Sequence, residues 1–297
     1  MLLVSGANGN LAGAAIGNLL EMVEPGRIAV STRTPDSPFA ADLRSRGVSV
    51  RHGDFDRPET LAGAFEGVTR ALLISTYADN GVRLRQNLAA IAAAKAAGVG
   101  HLVYTSFLAA GPDALAEHSQ LVHYPTEQAL EASGLAYTIL RHALYAEMLT
   151  GDLDATLATG RLTRCGGGAA CAFIARDDLG LSAATVLAGE GHENRIYNET
   201  MTRTYTGEDA AAAISACFGT PVGYEAVAAE DWPAYMTRAW GVPETQARSS
   251  VGTMRAMEAG QFDVVTQDYE SITGRPPRTL ERFLADLKAI RAGEGAA

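Results

Sequence analysis

Short apolar runs alternate with longer stretches in which Ala and Leu recur at helical spacing through the first half of the chain. The runs at 2–4, 28–31, 48–51, 71–74 and 102–104 are bounded by Gly, Pro or charged residues and predict strands. Between them the pattern predicts helices at 11–23, 39–46, 59–65 and 82–97, the last closing on Gly98, where a helix C-terminus favours glycine. A sixth unit adds a helix at 125–132 and a strand at 136–140. Repeated βα units with right-handed crossovers close into a parallel sheet, so the expected class is α/β, a doubly wound Rossmann sheet.

Beyond Arg141 the rhythm changes. Helical patterns recur at 152–159 and 177–187, the second with acids in its first turn, and residues 165–168 read as a turn or loop. From Thr206 helices dominate, with Thr206 or Gly207 as a cap and Glu208 and Asp209 just inside. The GRPP stretch at 274–277 interrupts the pattern before a last amphipathic helix at 280–290, and residues 293–297 read as a frayed tail.

At 297 residues the chain can bury a large core, and 47% apolar with 20% charged residues is the composition of an ordinary soluble protein. A net charge of -10 argues against a surface for nucleic acid, which needs Lys and Arg to neutralise phosphates. Cys165, Cys171 and Cys217 are odd in number and lack CxxC spacing, so they suggest neither a disulfide framework nor a metal site, but reduced thiols in a cytoplasmic protein. The apolar start has no basic stretch before it and reads as a strand, not a leader. No segment reaches the roughly 20 apolar residues of a membrane span. Only Lys95 and Lys288 are lysines.

The turn after the first strand reads Gly6-Ala-Asn-Gly9-Asn-Leu-Ala12. A βα turn that receives a dinucleotide brings backbone N–H groups to a pyrophosphate, and glycines at the crossing points leave room for it. Gly6 and Gly9 supply that room, with Ala12 or Gly13 as the third small residue. Asn8, Asn10 and Leu11 belong to the same candidate cofactor site. The second strand ends Ser31-Thr32-Arg33 without an acid. An acid there would bind a ribose 2′-hydroxyl, whereas Arg accommodates a 2′-phosphate, so NADP(H) is favoured and NAD(H) stays open. Arg33 is the expected clamp, with Ser31 or Thr32 as helpers, unless it simply faces solvent. Asp54 and Phe55 after the third strand are placed to flank an adenine, Ser75 and Thr76 after the fourth to line a ribose, and Thr105 joins the same set. Each could equally be part of a polar loop.

These residues resemble a family. SGANGNLAG at the start, STRTP, GDFDRPETL, AAKAAGVGHLVYTS, HYPTEQALEASGLAYTILRHALY, GHENRIYN and ITGRPPRTLERFL occur in the order found in the NmrA-like, atypical short-chain dehydrogenase/reductases, particularly the quinone oxidoreductase and triphenylmethane reductase branch. The resemblance spans nearly the whole chain. It implies a nucleotide-binding domain over 1–150, rejoined by 173–198, and a smaller, mostly helical substrate domain over 199–297 with a contribution from 151–172.

Ordinary members of the wider superfamily pair a Tyr with a Lys four residues on, the Lys easing proton transfer from the phenol to a carbonyl. Here Tyr124 is followed by Gln128, and neither lysine can substitute. The loss argues against carbonyl reduction, not against nicotinamide binding. Hydride addition to a quinone or an extended dye needs less acid help, because the electron pair enters a low-lying π system. Ser106, His123 and Tyr124 are the catalytic candidates, His123 as a proton donor near neutral pH or else a satisfied helix-face residue. Tyr77, Phe107, His142 and Tyr145 are the candidates for lining a substrate cleft, with core packing the alternative for Phe107 and Tyr145.

Three functions follow. The leading expectation is an NAD(P)H-dependent reductase of a quinone or polycyclic aromatic, acting as a monomer or homodimer on a small molecule. The second is a monooxygenase that hydroxylates a polycyclic phenol or hydroquinone in aromatic polyketide (antibiotic) biosynthesis. The third is a non-catalytic NADP-sensing regulator. Nothing in the sequence signals a metal or a flavin.

Overall fold

The computed structural model describes residues 1–166 and 168–293. The strands in chain order are β1 (Leu2–Val4), β2 (Ile28–Thr32), β3 (Ser49–His52), β4 (Arg70–Ile74), β5 (His101–Phe107), β6 (Ala136–His142), β7 (Leu144–Tyr145), β8 (Arg161–Cys165), β9 (Phe173–Ile174), β10 (Arg195–Glu199) and β11 (Gly223–Val227). Seven of them form one parallel sheet in the order β3-β2-β1-β4-β5-β6-β10. β1, β2 and β5 are buried almost throughout, which is why they read in the sequence as unbroken apolar runs instead of alternating ones. The chain winds one way from β1 to β3 and the other way from β4, so a crevice opens at the carboxyl ends of β1 and β4.

Five helices connect these strands: α1 (Asn10–Met22), α2 (Pro38–Ser45), α3 (Leu61–Phe65), α4 (Asn80–Ala96) and α5 (Tyr124–Ala132). After them come α6 (Leu153–Thr159), α7 (Arg176–Ala188), α8 (Gly207–Phe218), α9 (Trp232–Trp240), α10 (Glu244–Arg248), α11 (Val251–Glu258), α12 (Asp268–Thr273) and α13 (Leu280–Arg291). α1, α2 and α7 cover one sheet face through Ala12, Ile16, Leu19, Leu43 and Leu187, and α3, α4 and α5 cover the other through Phe65, Ile91 and Leu130. α1 and α7 touch backbone to backbone, since a Cβ on Gly180 would come within 2.4 Å of the Ala14 Cβ. The expected helix at 59–65 divides into a 3-10 turn, Pro58–Thr60, and α3, with Pro58 opening the turn. Of the expected 165–168 turn, Gly167 lies outside the described residues, as does the tail beyond Gly293.

The chain beyond residue 150 builds a second core around Leu162, Phe173, Ile214, Trp232, Met254 and Leu284, continuous with Leu108 and Leu144 beside the main sheet. β8 and β11 pair in parallel here. α8 starts with a full capping box, Thr206 Oγ1 accepting from the Asp209 N–H while the Asp209 carboxylate accepts from the Thr206 N–H. On α9, Trp232 stacks on Tyr235 at 5.2 Å and Trp240 lies edge-on to both. Among the described residues no helix is long and apolar enough to cross a membrane.

Candidate active site

β1 runs directly into the glycine turn at the crevice. Gly6 adopts φ +65°, a conformation strained for any L side chain, and the Gly9 N–H donates to its carbonyl at 2.9 Å. Gly9 is the N-cap of α1 but offers no side chain to cap it, and the first turn of α1 contains no acid. The leading N–H groups of α1 are thus left for another partner, with the positive end of the helix dipole behind them. They border an open cleft of ≈ 460 Å³ lined by Asn8, Gly9, Asn10, Phe39, Glu147 and Arg176. Ala12 fills the third small position, buried against the sheet, whereas a Cβ on Gly13 would meet nothing within 4 Å. The Leu11 side chain is buried in the second core, which leaves its backbone facing the turn.

The end of β2 is tied to this turn. Asn8 accepts from the Thr32 hydroxyl at 2.9 Å and donates to the Thr34 hydroxyl at 3.2 Å. Arg33 is exposed and forms no ion pair among the described residues. Ser31 and Thr32, expected to help it, are buried: Ser31 packs beneath Gly53, on which a Cβ would fall 2.8 Å from the Ser31 Cβ, and Thr32 serves Asn8. Asp54 uses Oδ1 to accept from the Asp56 N–H at 3.0 Å, and Phe55 is half-buried beside it.

The ends of β4 and β5 are laced together by side chains. The Ser75 N–H donates to Thr105 Oγ1 at 3.0 Å, so the buried Thr105 joins two strands. Thr76 donates to Gln86, which donates to Asp56 at 2.6 Å. Tyr77 stands out at 79% exposure. Beside Ser75, Arg83 Nη2 lies 3.2 Å from Ser75 Oγ and 3.2 Å from His123 Nε2. A guanidinium only donates, so Nε2 accepts and the ring proton sits on Nδ1, which faces the Tyr104 hydroxyl at 2.9 Å.

That arrangement corrects the expectation of His123 as a proton donor near neutral pH. The ring is 4% exposed, and burial, reinforced by the Arg83 cation, holds it well below the ordinary histidine range. Ser106 is also closed off: it is 3% exposed and donates at 2.5 Å to Glu127, which pairs with Arg141 through both oxygens. Tyr124 opens α5, half-buried, and its hydroxyl accepts from Gln128 at 3.2 Å, outside the His123 cluster. Phe107 ends β5 among rings, 4.7 Å from His118, 6.1 Å from His123 and 5.4 Å from Phe262 of the C-terminal third.

At the end of β6, His142 is 0% exposed, so its expected contact with substrate is not available. Its Nε2 lies 3.4 Å from the equally buried Glu199 at the end of β10. Burial pushes Glu199 up to about 8 and His142 down to about 3, so at neutral pH the two are an uncharged pair. Tyr145 is half-buried, with the Arg176 guanidinium 4.4 Å over its ring and Glu147 paired to Arg176. Sequence reasoning missed Arg83, His118, Glu127 and Glu199. For Arg83 one signal was present: it sits one turn inside the helix that follows β4, the end of a βα unit that faces the crevice. Among the described residues no group of three His, Cys, Asp or Glu side chains is placed to hold a metal ion.

The NmrA-like family profile matches residues 1–263. The chain belongs to the NmrA-like family. Within it, this member is 31% identical over 290 residues to quinone oxidoreductase 2 of Escherichia coli strain K12, covering 97% of this chain and 98% of that one. It is also 31% identical over 302 residues to the NAD(P)H azoreductase of Xenophilus azovorans, covering 100% of both. The crystal structure of the Citrobacter sp. triphenylmethane reductase complexed with NADP(H) superposes with a TM-score of 0.89 at 31% identity, covering 97% of this chain and 99% of that one. The NmrA-like turn of this chain fits a dinucleotide on its own geometry, through the left-handed Gly6, the uncapped start of α1 and the unpaired Arg33.

Proposed function

We propose that the protein is an NAD(P)H-dependent reductase that passes hydride to a quinone or another flat aromatic acceptor, with NADPH preferred. The observation that carries this reading is the convergence of the Gly6–Gly9 turn, the uncapped start of α1 and Arg33 on the crevice where strand order reverses, with no acid at the end of β2. Relatives named for quinone and azo reduction, and a solved NADP(H) complex, support it. In this reading 1–150 with 173–198 bind the cofactor, and 199–297 with 151–172 close over the substrate.

Gly6, Gly9 and the backbone of Asn10 and Leu11 would hold the diphosphate, Arg33 the 2′-phosphate, Asp54 and Phe55 the adenine end, and Ser75 and Thr76 the ribose. Reduced nicotinamide, when bound, supplies a hydride. Tyr77, Phe107 and Tyr145 offer aromatic faces on which a flat acceptor stacks, so that orientation does the catalytic work. Ser106, His123 and Thr105 brace the strand ends beneath. Among the described residues no acidic side chain there is poised to give up a proton, which suits an acceptor whose reduced form is already a stabilised anion. The free thiols Cys165, Cys171 and Cys217 suit the reducing cytosol in which we place the protein.

Purified protein should consume NADPH in the presence of a quinone panel without taking up oxygen. Oxygen uptake would indicate hydroxylation, and NADPH binding without turnover a sensor. Arg33→Ala should weaken NADPH about 10- to 100-fold, the size of a lost charge-assisted bond to phosphate, and leave NADH nearly unchanged. Equal losses for both cofactors in a binding titration would remove the 2′-phosphate role.

A further inference from the structure

We infer that Arg83 is a catalytic residue that receives the acceptor's oxygen, and that the site therefore takes an uncharged quinone and rejects a cationic dye. The inference rests on the reductase reading above and narrows its substrate class.

The guanidinium lies over the carboxyl ends of β4 and β5, bonded to Ser75 and His123, with Tyr77, Tyr104 and Tyr145 as its electrostatic neighbours. It has no carboxylate partner among the described residues. The acids nearby are engaged elsewhere: Glu127 with Arg141 and Ser106, Glu147 with Arg176, and Asp56 with Gln86. Arg83 Nε is buried with no acceptor among the described residues. The two histidines beside it, His118 and His123, are held uncharged by burial and so neither offset its charge nor add to it. A half-buried cation without a counter-ion is costly, and it persists where a negative charge arrives in function.

Quinone reduction delivers that charge. A quinone that takes up a hydride from reduced nicotinamide gains one new bond to hydrogen and one full negative charge on oxygen; the nicotinamide is left oxidised, and a solvent proton completes the hydroquinone. A fixed cation aimed at that oxygen stabilises the transition state without reorganisation. A triarylmethane dye differs in sign. It enters as a cation and becomes neutral when its central carbon accepts hydride, so Arg83 opposes its entry and has no developing anion to stabilise.

The test compares wild type with Arg83→Gln on two acceptors. For 1,4-benzoquinone the variant should lose about 100- to 1,000-fold in kcat/KM, the usual range for a lost oxyanion donor, while for crystal violet kcat/KM should rise several-fold. Opposite signs separate lost charge from lost folding. A second readout needs no turnover: 4-nitrophenol, titrated by its visible absorbance on the protein loaded with oxidised NADP, should ionise about one pH unit lower on wild type than on Arg83→Gln. Parallel losses on both acceptors, or a nitrophenol that titrates alike on the two proteins, overturn the inference. If wild type reduces neither acceptor, the reductase reading fails, and the nitrophenol titration still decides the role of Arg83.

Discussion

His142 and Glu199, both fully buried, face each other across neighbouring strands, and burial takes the charge from each. Glu199 is held above the ordinary glutamate value, so the folded protein keeps a proton that the unfolded chain releases, and stability falls as pH rises from about 4.5 toward 8. His142 works the other way: its depressed value means that the unfolded chain binds the extra proton, and stability grows as pH climbs from about 3 to 6.5. Above 6.5 only Glu199 contributes, at about 1 kcal/mol per pH unit. Glu199→Gln should therefore abolish a decline in melting temperature between pH 6.5 and 8 that wild type shows; a decline of the same slope in the variant would refute this account. Residues of this kind were the least legible in the sequence. Nothing along the chain marks Glu127 or Glu199 as buried or Arg83 as uncompensated, because only the fold brings Arg141 to Glu127 and leaves Arg83 without a carboxylate among the described residues. The glycines were legible because their requirement is local, a backbone angle and an absent Cβ.

At the scale of elements the same contrast holds. β1, β2 and β4 were plain in the hydrophobic pattern because central strands are covered on both faces. β5 runs three residues past its apolar run because Thr105 and Ser106 are buried by hydrogen bonds, which apolar patterning does not register. β7 and β9, two residues each, have no period to read. The start of α1 shows what an element can give up for function. Gly9 has φ -80° and ψ 150°, open to any residue, and serine there would cap the helix better by a few tenths of a kcal/mol. Gly9→Ser should leave the melting temperature unchanged or slightly higher while NADPH affinity drops at least 10-fold, since the new hydroxyl takes the N–H groups the diphosphate needs. Undiminished NADPH binding would show that the diphosphate lies elsewhere.

Across the whole molecule, the C-terminal third is fastened to the main sheet at a few defined points. Arg278, just ahead of α13, donates from its backbone and its side chain to Asp178 on α7, at 3.1 and 3.0 Å, and reaches Asp177 and Asp286 as well. Asp268 at the start of α12 accepts from the Asn198 N–H in β10 at 2.6 Å, and Phe262 closes on Phe107. This part of the chain announced its helices in the sequence pattern but not the contacts by which they hold to β5, β10 and α7.

Both tryptophans of the chain, Trp232 and Trp240, sit together on α9 and none in the sheet. Indole emission from this protein is consequently a report from α9 alone. Reduced nicotinamide absorbs in the band where indole emits, so its arrival would dim the signal by energy transfer, and the molecule brings its own optical gauge of cofactor occupancy.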